Sequence, residues 1–334
     1  MVDFSLGTGS AGSTSRRAVH VEYNDIGQEA QLPTELFTKS TPNLASRLLT
    51  VPAGALQVEC LFYNSIRPTL NIEAPTGYYA NFDSRSGRSM FLLDDVGRSK
   101  AATFGDPTKV HIDRAKAEHI VRLLATVHGT FWNSPRLDGD LRVIKDAESY
   151  QLDLNKLIRF RSRSMVGVER AEQVVPAQFL RRRDELWPAL LRSLVLHRAG
   201  PTTLLHSDVH SRNWYVTGDG RMGLYDWQCI TKGSWGLDVA YAIGSALTVE
   251  NRRSWERELL EIYIDQLAAS GGDKLTFDEA WLGYRQQIFH GLFFWLFTLG
   301  EGFLEPAMQP RPVSLANLER MAHMVIDLDC LDTV

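Results

Sequence analysis

The chain has 334 residues, of which 44% are hydrophobic and 23% are charged, and its formal net charge at pH 7 is -4. This length and composition are typical of a globular protein with one large domain or two lobes. The net charge gives no general basis for binding nucleic acid or an anionic membrane, because both require a concentrated positive field, and we expect neither as a partner.

The cysteines and the apolar segments indicate which kinds of protein this chain does not resemble. Three cysteines are far apart and form no CxxC pair: Cys60, Cys229 and Cys330. This spacing predicts neither a disulfide framework nor a structural zinc site. The most apolar segment, residues 288–304, is shorter than a membrane span and is predicted to be a buried helix. The first residues show no signal-peptide pattern, so a reducing, cytoplasmic location is expected.

The first 96 residues predict a small antiparallel sheet with one helix. Short apolar runs alternate there with turn residues, in the segments RRAVHVEY, ELFTKS, GYYANF and SMFLLDDV. Residues 1–6 would barely complete a first strand, and we therefore expect a shortened amino terminus. The sequence predicts a β-rich lobe at residues 1–96.

Residues 7–12 read GTGSAG, a GxGxxG pattern formed by Gly7, Gly9 and Gly12. Glycines at this spacing let backbone amides approach phosphate oxygens that a Cβ would exclude. A dinucleotide-binding fold requires a helix directly after the glycines, whereas the β-branched and aromatic run that follows favours a hairpin. A flexible glycine–serine terminus is the alternative interpretation.

Lys39 is the only lysine among the first 99 residues and lies in the predicted strand ELFTKS. A lysine ammonium is a compact charge that often holds phosphates in proteins. Glu59 follows twenty residues later, in a stretch with helical apolar spacing, and is a candidate ion-pair partner. For each residue alone, an ordinary surface charge is the alternative interpretation.

Helical spacing dominates after Asp113. Within residues 115–132, steps of three and four predict one buried helix face formed by Ala117, Ile120, Val121, Leu124, His128 and Phe131. Residues 254–272 repeat the pattern and end in two glycines, which are natural helix stops. The polar, glycine-bearing segment 94–109 is typical of a hinge. We therefore expect a large helical lobe at residues 97–334.

The segment HSDVHSRN and the aspartate that follows it admit two chemical hypotheses. In a metallohydrolase, His206, Asp208 and His210 would alternate along an extended segment and converge on one metal ion. In a phosphotransferase, Asp208 would orient the attacking hydroxyl and accept its proton, while Asn213 and Asp226 would offer Mg²⁺ its preferred oxygen ligands. The second hypothesis is favoured, because it also uses the glycines and the strand lysine.

The pattern HxDxxxxN, followed by an aspartate thirteen residues later, is similar to that of the eukaryotic-like kinase superfamily. The segments LLHSDVHSRNWYVTGDGRMGLYDWQ and GLDVAYAIG resemble its aminoglycoside phosphotransferase and choline kinase branch, whose usual forms are HGDxHxxN and a following DW. The DFG and APE segments of protein kinases are absent. The resemblance covers most of the chain and implies a two-lobed α+β kinase-like fold.

The same resemblance implies an enzyme that transfers the γ-phosphate of ATP to a hydroxyl of a small molecule with the help of Mg²⁺. It implies Asp208 as catalytic base, Asn213 and Asp226 as metal ligands, and a cofactor site formed by Gly7, Gly9, Gly12, Lys39 and Glu59. Two departures stand out, since Ser207 replaces the usual glycine and Arg212 stands where glycine is common. A stiffer loop or an added positive charge is expected, and a nucleotide-binding pseudokinase without turnover is the alternative.

Other polar residues receive structural interpretations. Asp238 is expected to support the catalytic loop and the start of a helix, and His128 and His206 are expected to be core histidines. A basic run lies where relatives place substrate helices: Lys156, Arg159, Arg161 and Arg163. It favours an anionic or neutral hydroxylated acceptor, such as an acyl-carrier conjugate, and a solvated helix face is the alternative.

Overall fold

A computed structural model describes residues 1–11, 14–41, 44, 47, 54–302 and 308–334. Within it the chain forms two compact units, one of residues 1–104 with 215–229, the other of residues 105–214 with 230–334. The boundary expected between residues 96 and 97 therefore lies further along the chain, and the first unit also includes a segment from the second half of the sequence.

The first unit is built on an antiparallel sheet in the order β1-β2-β3-β5-β4. Its strands are β1 (Asp3–Ala11), β2 (Ser15–Glu22), β3 (Glu35–Ser40), β4 (Gly77–Asp83) and β5 (Arg88–Asp94). Because side chains alternate between the two faces of a strand, Val19, Val21 and Leu36 meet in one buried cluster, against which Tyr23 and Leu92 pack. The predicted antiparallel sheet is confirmed.

The remaining elements of the first unit are short. Its helices include α1 (Asp25–Glu29), α2 (Ala55–Leu61) and α3 (Val96–Ser99), and α2 continues into a π-helical turn at Phe62–Ile66. The further strands of the protein are β6 (Thr103–Phe104), β7 (Thr203–Leu205), β8 (Trp214–Val216), β9 (Met222–Leu224) and β10 (Thr231–Gly233). The sheet order β6-β8-β9 explains why the segment after β8 belongs to the first unit.

The second unit is mostly helical. Its helices include α4 (Arg114–Thr130), α5 (Ala147–Ile158), α6 (Phe160–Arg170), α7 (Ala177–Arg181), α8 (Arg183–Ala199), α9 (Gly236–Ala246), α10 (Val249–Ala269), α11 (Phe277–Gln286), α12 (Phe289–Leu299) and α13 (Arg311–Asp327). All six residues of the face predicted within residues 115–132 are buried; five lie in α4 and the sixth, Phe131, directly follows it. Asp113 caps this helix by accepting a hydrogen bond from the backbone N–H of Lys116.

Helix α12 forms the centre of the second unit, as its apolar sequence predicts. Nearly all of its side chains are buried, and it packs closely against α6. Gly167 permits this approach, because a Cβ at that position would lie 1.9 Å from the carbonyl oxygen of Leu296. Among the described residues, none of the helices combines the length and the hydropathy that a membrane span requires.

Candidate active site

Lys39 lies on β3 in the first unit, and only 5% of its side chain is exposed. Its Nζ atom is 2.8 Å from the carboxylate of Glu59 on α2 and 2.8 Å from Oδ1 of Asp226. Burial alone would lower the pKa of Lys39, but the two carboxylates raise it above its ordinary value. The lysine is therefore charged, and the ion pair expected between Lys39 and Glu59 is present.

Asp226 is held beside Lys39 by the tryptophan that follows it. The ring of Trp227 stacks on Phe62 at a centroid distance of 4.0 Å, and its Nε1 donates to the carbonyl oxygen of Leu224 at 3.1 Å. Asp226 itself has a φ of 64°, a left-handed conformation that non-glycine residues adopt at a cost. Aromatic packing and local strain thus present the carboxylate to the lysine.

Arg16, which the sequence analysis did not single out, completes this group. It is the cross-strand neighbour of Lys39 on β2, and its Nη2 atom lies 3.2 Å from Oδ2 of Asp226. Each oxygen of the Asp226 carboxylate therefore faces a cation. We call Arg16, Lys39, Glu59 and Asp226 the lysine cluster. The sequence signal for Arg16 is its position in the strand that pairs with the lysine.

The first two glycines of the GxGxxG motif lie in a strand rather than in a loop. Gly7 and Gly9 lie within β1, where Gly9 pairs with Arg17 of β2 after an irregularity that begins at Leu6. Gly12 lies outside the described residues. The expected hairpin is confirmed, but its first strand extends through two of the three glycines: Gly9 pairs with Arg17, and Gly7 lies in the irregularity before it.

In the second unit, Asp208 follows β7 and precedes a 3₁₀ turn at Ser211–Asn213. The side-chain nitrogen of Asn213 donates to the main-chain oxygen of Asp208 at 2.7 Å and to its Oδ2 at 3.0 Å. The hydroxyl of Tyr241 donates to Oδ1 at 3.4 Å. The Asp208 side chain is still 24% exposed, so its carboxylate is oriented by these contacts and remains accessible to solvent.

The backbone before Asp208 rests on one buried carboxylate. Asp238, at the start of α9, accepts hydrogen bonds from the backbone N–H groups of His206 at 2.7 Å and Ser207 at 2.8 Å. Burial would raise the pKa of Asp238, but hydrogen bonding and charge from His128, with the bonds to the loop, hold it below its ordinary value. The supporting role expected for Asp238 is confirmed, and both His128 and His206 are buried as expected.

Ser207 has a φ of 65°, the left-handed region in which glycine is comfortable. Its hydroxyl pairs with that of Thr231 at 2.6 Å, and its carbonyl oxygen accepts a hydrogen bond from Nε2 of His290 at 2.8 Å. The serine side chain therefore adds a hydrogen bond, while its backbone adopts a conformation that is less favourable for serine than for glycine.

The metallohydrolase hypothesis finds no support in this geometry. Within the part of the chain that the structure describes, no three His, Cys, Asp or Glu side chains are placed to hold a metal ion. Nδ1 of His206 accepts a hydrogen bond from the backbone N–H of Asp208. The left-handed Ser207 also breaks the extended alternation on which convergence of His206, Asp208 and His210 depended.

Beside Asp208 lie His210, which the sequence suggested only as a metal ligand, and Tyr241, which was not selected from the sequence. Nε2 of His210 lies 3.5 Å from Oδ1 of Asp208, and Tyr241 donates to the same oxygen. Tyr241 lies three residues after Asp238 on α9, so it projects from the same helix face. That spacing, together with the second histidine of HxDxH, was the available signal.

The arginines flagged by the sequence have different surroundings. Arg212 donates to Oε1 of Gln309 at 2.6 Å. In the basic run, Arg159 separates α5 from α6 with a φ of 55°, so the four residues do not share one helix. The guanidinium of Arg163 donates to the carbonyl oxygen of Phe297 at 2.9 Å and lies over its ring. At least Arg163 therefore has a structural contact within the unit.

The oxygen groups present suit a magnesium ion. Both hydrogen bonds of Asn213 come from its side-chain nitrogen, which leaves the amide oxygen as the acceptor end of the side chain. Asp226 is a carboxylate whose two oxygens already face positive charges. Amide and carboxylate oxygens are the hard ligands that Mg²⁺ prefers.

Solved structures with the same fold are small-molecule kinases and related phosphotransferases. A microcompartment-associated aminopropanol kinase matches with a TM-score of 0.56 and 13% identity, covering 99% of this chain and 95% of the other. A putative aminoglycoside phosphotransferase from Ralstonia eutropha gives a TM-score of 0.56 and 12% identity, with coverage of 99% and 93%. Choline kinase from Cryptosporidium parvum gives a TM-score of 0.55 and 11% identity, with coverage of 98% and 91%. The expected kinase-like α+β fold is confirmed.

Sequence comparisons give the family. No curated protein sequence matches the chain significantly. The profile of the phosphotransferase enzyme family, known as APH, matches residues 69–283, which is more than half of the chain and includes Asp208, Asn213 and Asp226. The chain therefore belongs to the APH phosphotransferase family.

Proposed function

We propose that the protein transfers the γ-phosphate of ATP to a hydroxyl group of a small molecule, with Asp208 as the catalytic base. The observation that carries this proposal is the Asp208 carboxylate, which Asn213 and Tyr241 orient while 24% of the side chain stays exposed. A base needs this combination of fixed geometry and access to the proton it removes.

The proposed chemistry is a direct displacement. Asp208 accepts the proton of the acceptor hydroxyl while the hydroxyl oxygen forms a bond to the γ-phosphorus of ATP. At the same time the bond between that phosphorus and the bridging oxygen, which leaves with ADP, breaks. The products are the phosphorylated alcohol and ADP. Asn213 and Tyr241 hold the carboxylate oriented during proton transfer, and His210 lies beside the same oxygen.

The lysine cluster is assigned to the nucleotide. Lys39 is charged and buried, so its ammonium offers a strong hydrogen bond to phosphate oxygens, and Glu59 holds it in place. Gly7, Gly9 and Gly12 are proposed to lie beside the phosphates. Mg²⁺, when bound, would neutralise charge on the transferring phosphate.

The residues that would hold Mg²⁺ are Asn213 and Asp226, whose oxygen groups fit it as described above.

Because the reaction consumes ATP, we also propose a cytoplasmic location, where that nucleotide is supplied. The acceptor is proposed to be a neutral or anionic hydroxylated small molecule, in line with the basic residues of α5 and α6.

The proposal is tested by measuring ATP consumption with a panel of alcohols, amino sugars and hydroxyacyl thioesters. At least one acceptor should stimulate turnover. Asp208→Asn should lower that turnover by about a hundredfold to ten-thousandfold, because a positioned base commonly contributes this much. ADP affinity, measured by calorimetry, should be unchanged in this variant, since the carboxylate serves the acceptor.

Asp219→Asn is the matched control, because Asp219 is 59% exposed and belongs neither to the lysine cluster nor to the residues assigned to catalysis beside Asp208. It should leave turnover unchanged. Near-normal turnover in Asp208→Asn would remove Asp208 from the site. Nucleotide binding without turnover on any acceptor would instead support a nucleotide-binding module that lacks catalysis.

A further inference from the structure

Arg16 and Lys39 share one carboxylate in the lysine cluster. Cross-strand partners lie on the same face of a sheet, and Arg16 of β2 is the partner of Lys39 of β3. The guanidinium approaches Oδ2 of Asp226 at 3.2 Å, and the ammonium approaches Oδ1 at 2.8 Å. With Glu59 included, the cluster pairs two basic side chains with two acidic ones.

The two cations differ in how firmly they are held. Lys39 is 5% exposed and bonds to Glu59 as well as to Asp226, whereas the Arg16 side chain is 37% exposed. Among the described residues, Asp226 is the carboxylate that Arg16 contacts. An ion pair with this exposure is weak, because water screens it and the side chains lose rotational freedom in forming it. Arg16 is therefore the member of the cluster that can leave Asp226 at low cost.

The proposed function gives a physical reason for Arg16 to leave Asp226. A divalent cation on Asp226 would repel a guanidinium at the same carboxylate, and the phosphates that arrive with it would attract the guanidinium. Arginine presents a planar set of N–H donors that matches the oxygens of a phosphate. The strand position of Arg16 would keep it beside Lys39 in both states.

We propose that Arg16 is a second phosphate-binding residue beside Lys39, which exchanges its contact with Asp226 for one with a nucleotide phosphate when the nucleotide binds. This inference rests on the proposed function, because it assigns the nucleotide phosphates to the lysine cluster. It extends that function by naming a phosphate ligand outside the GxGxxG motif.

The test compares ADP with adenosine as calorimetric ligands, each with and without magnesium. Arg16→Gln should weaken ADP binding by about tenfold or more, since a charge-assisted hydrogen bond contributes about 1.5–3 kcal/mol. The loss should persist without magnesium, because the arginine contacts phosphate directly. Adenosine has no phosphate, so its affinity should not change.

Arg17→Gln is the matched control. Arg17 is the next residue on β2, is exposed, and points to the opposite face of the strand. It should bind both ligands as the unaltered protein does. This comparison separates a phosphate contact from a general effect of removing positive charge from the strand.

Three results with the Arg16→Gln variant would overturn the inference alone. Equal losses for ADP and adenosine would show that Arg16 only supports the strand. Unchanged ADP affinity would show no phosphate contact, and tighter magnesium–ADP binding would show that Arg16 merely competes with the metal ion. Failure of the unaltered protein to bind ADP would overturn the proposed function together with this inference, whereas the other results leave that function intact.

Discussion

The lysine cluster and the Asp208 loop hold their polar groups by different means. In the lysine cluster, charged side chains contact one another directly, and Lys39 lies between Glu59 and Asp226. In the loop, Asp208 receives its side-chain bonds from an amide and a hydroxyl, and a separate carboxylate, Asp238, holds the backbone. The comparison suggests that the first group is built to exchange partners with a ligand, and the second to keep one geometry.

The energetics of burial support this distinction. A buried ion costs several kcal/mol in lost hydration, and removing one partner leaves the other charge uncompensated. Lys39 and Glu59 are both almost fully buried and depend on each other. Asp238 is also buried, but two of its partners are backbone N–H groups that cannot leave without moving the loop.

The largest effect on catalysis within the lysine cluster is expected from Lys39→Met. This change keeps the apolar stem but removes the ammonium, and kcat/KM should fall by about a hundredfold, the equivalent of a charge-assisted hydrogen bond. Glu59→Gln acts through the same contact. The double variant should therefore lose much less than the product of the two single losses. Steady-state kinetics of the three variants measures this coupling.

Lys100→Met is the control for this series, because Lys100 pairs with Glu73 in the same unit and has no proposed role in catalysis. Its kcat/KM should change little. If the Lys39 and Glu59 losses simply multiply, the two residues act independently and the lysine does not depend on the glutamate. Full activity in Lys39→Met would place the phosphate contact elsewhere.

Asp238→Asn tests whether the loop depends on one buried charge. The amide has a single acceptor oxygen, so one of the two backbone N–H groups loses its partner, and the free energy of unfolding should fall by about 2 kcal/mol. Because the pKa of Asp238 is lowered in the folded protein, its stabilisation is complete above the pKa of an unfolded aspartate. It is lost as the pH falls through the folded value, so the variant should show a weaker acid dependence.

Urea unfolding between neutral and acidic pH measures both effects. Asp265→Asn is the control, since Asp265 is exposed on α10 and should alter neither quantity. An Asp238→Asn variant with unchanged stability, or with the acid dependence of the unaltered protein, would show that the loop is held mainly by its other contacts.

Sequence patterns predicted the elements and the paired charges better than the backbone details. Apolar periodicity located β2, β3 and α4, because it is a local signal. The contact between Lys39 and Glu59 was predicted because the lysine lies in a predicted strand and the glutamate in a predicted helix soon after it. Arg16 was missed because its partner is Asp226, 210 residues away. Strand pairing indicates that Arg16 lies beside Lys39, but its contact with Asp226 depends on where the segment after β8 folds.

The glycine motif and the catalytic loop show a second limit. Gly9 was expected in a loop but lies in β1, since pairing with β2 decides the conformation of a residue that is permissive by itself. Ser207 was recognised as a departure from glycine, but its left-handed φ follows from the hydrogen bonds that Asp238 and His290 make to its backbone. Both outcomes depend on tertiary contacts.

The smallest effect is expected at Ser207, where strain and anchoring oppose each other. The left-handed conformation costs a non-glycine residue about 1 kcal/mol, and the buried hydrogen bond to Thr231 returns about the same amount. Ser207→Gly removes both contributions, so the free energy of unfolding should stay within about 0.5 kcal/mol of its original value. Ser207→Ala keeps the strain and loses the hydrogen bond, and should be less stable by about 1 kcal/mol. Equal stability of the two variants in urea unfolding would mean that the backbone strain at this position is negligible, and that the loop is held in its left-handed turn without a penalty for the side chain.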